Sequence, residues 1–387
     1  MIPYGRQDIS QADIDAVVEV LRSESLTQGP MVPRFEQTVA EYCGVQHGVA
    51  VNSATSALHI ACLALDLGPG DWLWTSPNTF VASANAALYC GAKIDFVDID
   101  PLTYNMSVEL LKNKLEKAEK EGRLPKIVMP VHFAGQPCDM LSIHELSQQY
   151  GFKIIEDASH TIGGSYRNTK VGSCTHSDIA VFSFHPVKII STGEGGMAVT
   201  NCAELATRMR RLRTHGITND KKLMQLRPDN EIWNYQQIEL GFNYRMTDMQ
   251  AALGLSQMRR LDEFVRCRHE IAARYNEALG LLPITIPHQA FGTYSSYHLY
   301  PIRVCEAESK KTQRQVYDVL WQHGVAANLH YIPVHRQPYY EKLGFKAGDL
   351  PQAEQFHREV ISLPMYPTLE SQQQTVVIKI LAEVLSV

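Results

Sequence analysis

The run Phe182-Ser183-Phe184-His185-Pro186-Val187-Lys188, followed by Ser191-Thr192-Gly193-Glu194-Gly195-Gly196, decides how this chain is read. Val181 to Phe184 reads as a buried strand, and a lysine set between such a strand and a glycine-rich turn is poorly explained as a solvated surface charge. Asp157 lies thirty-one positions upstream, at the end of the apolar run beginning at Phe152. A lysine amine that can hold an aldehyde, paired with an acid that can keep a pyridine nitrogen protonated, is the combination pyridoxal phosphate requires. Lys188 and Asp157 are therefore the candidate catalytic pair. The stretch between them carries apolar runs and glycines, so a reversal of the chain is expected to return Lys188 to the strand end that bears Asp157.

Outward from this run the chain alternates. Strand-like segments at Gly48 to Val51, Trp72 to Thr75, Lys93 to Val97, Lys126 to Val131 and Phe152 to Ile155 are separated by helical patterns at Thr55 to Leu65, Phe80 to Tyr89, Ser107 to Lys117 and Met140 to Tyr150. Asp178 to Phe184 and Gly196 to Thr200 add two more strands. The pattern predicts an α/β fold with a parallel-rich sheet flanked by helices. Ser10-x-x-Asp13 approximates a capping box opening an amphipathic helix. A long helical stretch from Thr247 to about Ala278 leads to a second unit containing Tyr297 to Val304, Lys311 to His323, Val325 to His330 and Ser371 to Leu385. With 387 residues, two units are expected, a large one over 1–250 including the N-terminal segment and a smaller one over 251–387.

Composition narrows the class. Hydrophobic residues make up 45% and charged residues 20%, enough apolar material for a sizeable core. A formal net charge of -5 with no face dense in lysine and arginine argues against nucleic acid as a partner. The chain has no run of eighteen apolar residues, and Met1 to Gln7 shows no basic segment leading into an apolar one, so no membrane association and a cytoplasmic location are expected. The eight cysteines are scattered without a C-x-x-C pair, which fits buried thiols better than disulfides or metal ligands. His330 and His335 are separated by Pro333 and have no acidic third ligand in sequence, so no metal is expected there.

Asn52-Ser53-Ala54-Thr55-Ser56-Ala57 falls where a strand gives way to a helix, and free amides at a helix start bind anions. On these residues alone, a phosphate cradle and an ordinary N-cap weigh equally. His160 alone reads as a core histidine, and Phe80 as a core aromatic or a ring that stacks on a cofactor.

Taken together, Leu26-Thr27-Gln28-Gly29-Pro30, Asn52 to Leu58, Glu156-Asp157-Ala158-Ser159-His160, the Lys188 run and Gly241-Phe242-Asn243-Tyr244-Arg245-Met246-Thr247-Asp248 resemble the DegT/DnrJ/EryC1 family over nearly the whole chain. These are sugar-nucleotide aminotransferases of pyridoxal-phosphate fold type I. The resemblance implies an aspartate-aminotransferase-like fold with a mostly parallel seven-stranded sheet and a smaller C-terminal α/β domain. It implies cofactor contacts from Ala54, Thr55, Phe80, Asp157, His160, Ser183 and Lys188, and from Asn243 to the phosphate of a neighbouring subunit, hence a homodimer with shared active sites. Tyr4, Glu24, Ser25, Leu26 and Thr27, with Asn328, Leu329, His330 and Tyr331, match segments that line the sugar-nucleotide pocket. The Lys188 run and His330 to His335 look like the subgroup that aminates C4 of a UDP-linked 4-keto-6-deoxy-N-acetylhexosamine in pseudaminic acid biosynthesis. The resemblance also implies L-glutamate as donor and a ping-pong course, although no carboxylate-binding arginine stands out. Rival readings are aminotransfer to another nucleotide-linked keto sugar, a sugar dehydratase, which lacks the lysine, a non-catalytic regulator that keeps the fold, and an amino-acid lyase or desulfurase, which lacks support from any cysteine in a loop context.

Overall fold

A computed structural model describes residues 1–226, 231 and 233–385. Seven strands form the central sheet: β1 (His47–Val51), β2 (Trp72–Thr75), β3 (Lys93–Phe96), β4 (Ile127–Met129), β5 (Lys153–Asp157), β6 (Ile179–Ser183) and β7 (Gly196–Thr200). Their order is β1-β7-β6-β5-β4-β2-β3, and only β7 runs against the rest. All five residues of β6 and of β7 are buried, as strands covered on both faces must be.

Side-chain alternation divides the sheet between two layers. Ile179 and Val181 of β6 join Leu58, Ile60 and Ala61 of α3 (Ala54–Ala64) and Ala84 and Ala87 of α4 (Val81–Tyr89) in one core. Ala180 and Phe182, the residues between, face Phe35 and Val39 of a helix over Met31–Cys43 and Ala251 of another over Asp248–Met258. The capping box at Ser10 and Asp13 is present, with both reciprocal bonds formed.

The chain does return Lys188 to the strand end that bears Asp157. After β5 it makes a small hairpin, Ser165–Tyr166 against Thr169–Lys170, and returns as the parallel neighbour β6, with Asp157 opposite Val181. The predicted helix from Thr247 to Ala278 is two helices, Asp248–Met258 and Leu261–Leu279, parted at Arg259 and Arg260. Packing explains the break: the first lies on the N-terminal helices, whereas the second leaves the sheet. The strand predicted over Val325 to His330 is cut to Val325–Ala326, beyond which Asn328 bridges to Ser362.

The helix Leu261–Leu279 enters two cores. Leu261, Phe264 and Val265 pack on the sheet side, and Ile271, Ala272, Tyr275 and Leu279 pack in the C-terminal core. Between them Arg268, fully buried, donates to the carbonyls of Tyr297 (3.0 Å), His298 (3.3 Å) and Met365 (2.9 Å). The C-terminal core also holds the antiparallel pair Tyr300–Arg303 and Val360–Leu363 and the helices Gln313–Gln322 and Ser371–Leu385. Ile2–Pro3 crosses to pair with Val325–Ala326, so Tyr4 stands among C-terminal residues.

Candidate active site

Lys188 and Asp157 open onto one cavity of about 580 Å³. Asp157 is the last residue of β5, and Lys188 follows β6 by five residues on a turn closed by its own N–H bonding the His185 carbonyl at 2.9 Å. Adjacent parallel strands thus deliver both groups to the same sheet edge, where ligands of open α/β sheets bind. Burial takes the Lys188 amine down to about 8, with the Asp157 charge opposing the drop.

Tyr4, Ala54, Thr55, Phe80, His160, Ser183, Asn328, Leu329, His330 and Tyr331 line the same cavity. Glu24, Ser25, Leu26, Thr27 and Asn243 lie outside it. Thr27 bridges to Thr247 and the Leu26 carbonyl accepts the Asp248 N–H, while Asn243 is exposed, with its backbone against Thr214 and its carbonyl facing Asn52. Among the described residues, the only lysine or arginine lining the pocket of one chain is Lys188.

The cradle sits at the start of α3. Ser53 caps the helix by accepting the Ser56 N–H at 3.1 Å, so the amides of Ala54 and Thr55 belong to the first turn, which has no carbonyl partners within the helix. Gly196 of β7 passes directly behind them: a Cβ there would lie 2.4 Å from the Ala54 nitrogen. The absence of a side chain at that position lets the strand support the cradle at backbone distance.

Three buried histidines, and the exposed His185, line the cavity with Lys188. His330 donates or accepts through Nδ1 with Ser362 Oγ at 2.9 Å, and burial, then the nearby Lys188, pushes it down to about 3, so it is neutral. His160 and His298, ring centroids 4.3 Å apart, are both held well below the usual histidine range, chiefly by burial. His160 Nε2 lies 3.2 Å from the Tyr331 hydroxyl, and its Nδ1 has no partner. Phe80, 60% exposed, lines the cavity with its ring centroid 6.5 Å from that of Tyr331, and its exposed ring could stack on a planar ligand. These features fit pyridoxal phosphate: a half-buried lysine of lowered basicity, an acid opening onto the same cavity, first-turn amides for a phosphate and an aromatic face for the ring.

Ser83, Thr79 and His298 also line the cavity and were not singled out by the sequence. The hydroxyls of Thr79 and Ser83 stand four apart across the start of α4, a spacing that was legible, whereas His298 comes from a loop with no pattern. His335 does not join His330; it is buried against Glu354 at 2.9 Å. Among the described residues no group of three metal-ligating side chains converges, and no helix is long and apolar enough to cross a membrane. A larger groove of about 970 Å³ runs past Asp100, Tyr166 and Phe291, away from Lys188 and without any such convergence of chemistry.

Comparison with known proteins agrees with this geometry. Residues 7–382 match the DegT/DnrJ/EryC1/StrS aminotransferase family. The chain is 38% identical over 371 residues to the spore coat polysaccharide biosynthesis protein SpsC of Bacillus subtilis, covering 95% of this chain and 93% of that protein. It is 37% identical over 383 residues to the UDP-4-amino-4,6-dideoxy-N-acetyl-beta-L-altrosamine transaminase of Campylobacter jejuni, with the same coverage. Among solved structures it is similar to Helicobacter pylori PseC, an aminotransferase involved in the biosynthesis of pseudoaminic acid, with a TM-score of 0.89, 30% identity and 99% of each chain covered. It is also similar to the pyridoxal-phosphate form of a sugar aminotransferase, Spr1654 of Streptococcus pneumoniae, with a TM-score of 0.88, 28% identity and 100% of each chain covered.

Proposed function

We propose a reaction from one premise: the chain belongs to the DegT/DnrJ/EryC1/StrS aminotransferase family. Its fold is that of the type I pyridoxal-phosphate aminotransferases, its activity is sugar aminotransfer and its cofactor is pyridoxal phosphate. When bound, that group supplies an electron sink for the carbon next to the migrating nitrogen.

Each residue then has a task. The Ala54 and Thr55 amides and Ser183 would hold the phosphate, Phe80 would lie against the ring, and the Asp157 carboxylate would keep the ring nitrogen protonated. Lys188 Nζ would anchor the group and, once released by the donor amine, would take the proton from the donor carbon and, in the second half-reaction, deliver a proton to the sugar carbon. An amine whose basicity burial has brought to about 8 suits both directions near neutral pH. The observation that carries the reading is the opening of Lys188 and Asp157 onto one cavity that also holds the cradle.

For substrate, we read a UDP-linked 4-keto-6-deoxy-N-acetylhexosamine aminated at C4 by L-glutamate, giving UDP-4-amino-4,6-dideoxy-N-acetyl-beta-L-altrosamine on the route to pseudaminic acid. The likeness to the Campylobacter transaminase supports it. The comparable likeness to SpsC supports a second reading, the same transfer to another nucleotide-linked keto sugar. Glutamate, a diphosphate and a phosphate are all anionic, yet among the described residues one chain offers its pocket a single lysine or arginine, Lys188. This favours a homodimer in which the Asn243 segment completes the neighbour's site. A cytoplasmic setting accords with free cysteines throughout.

The test is an assay of purified protein with glutamate and a panel of UDP-linked 4-keto sugars, the products resolved by mass and NMR. Amination at C4 of the N-acetylated 6-deoxy sugar, well ahead of the others, is expected. Preference for a different sugar would move the assignment to the second reading, and no transfer to any would overturn both.

A further inference from the structure

Asp157 is held by more than its strand. Its Oδ1 accepts the Ser159 N–H at 3.1 Å, and its Oδ2 accepts the Ser83 hydroxyl at 2.6 Å. Ser83 Oγ lies 2.7 Å from Thr79 Oγ1. A hydroxyl has one proton and an ionised carboxylate has none, so Ser83 gives its proton to Asp157 and must accept one from Thr79. The Phe80 carbonyl, 3.4 Å from Ser83 Oγ, is the poorer acceptor. The relay therefore has one sense, Thr79 to Ser83 to Asp157. Thr79 is 3% and Ser83 1% exposed, so water does not compete strongly for these bonds.

We propose that Thr79 and Ser83 form a two-hydroxyl relay that keeps Asp157 an anion facing the ring nitrogen of the bound cofactor, making Ser83 a positioning residue for aminotransfer. Ser83 sits in the first turn of α4, immediately after Phe80, so one turn both presents the stacking ring and braces the acid. Without the relay the charged form of Asp157 loses a hydrogen bond, so the carboxylate would hold the ring proton less firmly in place on the nitrogen and the ring would be less electron-poor. The consequence falls on proton transfer at the carbon and not on binding of the donor.

The inference rests on the cofactor reading above, and one set of spectra separates the two. Native protein, Ser83→Ala, Ser83→Thr and Thr79→Val are loaded with pyridoxal phosphate, and the visible band of each is titrated against pH beside measurements of kcat and donor KM. A native protein with no titratable visible band would overturn the cofactor reading and this inference with it. Given a native band, Ser83→Ala should titrate about half a unit higher and lose about tenfold in kcat at unchanged donor KM. Thr79→Val, which keeps shape and removes only the first hydroxyl, should move both readouts the same way by less, and Ser83→Thr should restore them. Bands of Ser83→Ala and Thr79→Val that titrate with the native one would refute the relay.

Discussion

Two glycines, one in the turn before β7 and one opening that strand, should respond in opposite ways to the same small change. An added Cβ at Gly196 would lie 2.4 Å from the Ala54 nitrogen, 2.5 Å from the Ser53 carbonyl carbon and 2.6 Å from the Ala54 Cα, all backbone. Ordinary contact is about 1 Å longer, and none of these atoms can rotate away, so β7 and the start of α3 must part. Overpacking of this kind costs about 1–3 kcal/mol, and here it falls on the amides that hold the phosphate. At Gly193 the geometry is reversed: φ is +78°, which strains any side chain, but nothing lies within 4 Å of the added atom. Strain alone costs about 1–2 kcal/mol and leaves the cradle in place. Gly196→Ala should therefore weaken pyridoxal phosphate binding by about 100-fold, the equivalent of ~3 kcal/mol, as well as lowering Tm. Gly193→Ala should lower Tm while holding cofactor affinity within about threefold of native. Absorbance titration of cofactor into each unliganded variant, with thermal melts alongside, gives both numbers. If Gly196→Ala binds cofactor as tightly as native, the amides of Ala54 and Thr55 are not the phosphate site.

Lys188 gives a pH signature: at about 8 instead of the ordinary 10.5, its free-amine fraction at pH 7 is about one in ten rather than about one in three thousand. Capture of the cofactor aldehyde by unliganded protein, trapped with borohydride, should climb with pH and level off above 8, with the label mapping to Lys188; a label elsewhere, or a rise continuing past pH 10, contradicts the assignment. Asp157→Asn should cost about 100-fold or more in kcat because an amide cannot hold the ring proton, and near-native turnover would point to another acid. Mixing inactive Lys188→Ala with inactive Asn243→Ala should recover activity in the heterodimer, where one site receives both native residues and the other neither; subunit exchange without recovery would place Asn243 in the service of its own chain.

Much of this was legible in the chain because both signals are local. The first four residues of β6, Ile179 to Phe182, are an unbroken apolar run, and Lys188 is conspicuous for following so soon after it. The strand-to-helix junction at Ser53 marks a helix start through its small hydroxyl residues, which read equally as a cradle or an ordinary N-cap until Lys188 is set beside them. Long-range pairings left no such mark. Ser83 and Asp157 are 74 positions apart, and nothing in either neighbourhood names the other. Tyr4 reaches the pocket only because Ile2–Pro3 pairs with a strand more than three hundred residues on. The break at Arg259 and Arg260 has neither glycine nor proline; two cores pulling on successive helices impose it. The helix over Met31–Cys43 hides behind Pro30 and Pro33, which a first turn tolerates but which read as loop.

A hinge requires somewhere to bend, and the helix Leu261–Leu279 denies it one: a rod anchored in both cores, pinned at mid-length by Arg268, joins the two walls of the cavity. With the walls so joined, the chamber around Lys188 should change little in width through the cycle. A small amino acid and a bulky sugar nucleotide would then use the same room in turn, each gone before the other enters. Either one in excess should obstruct its successor, so initial rates should follow the ratio of the two substrates as much as their amounts.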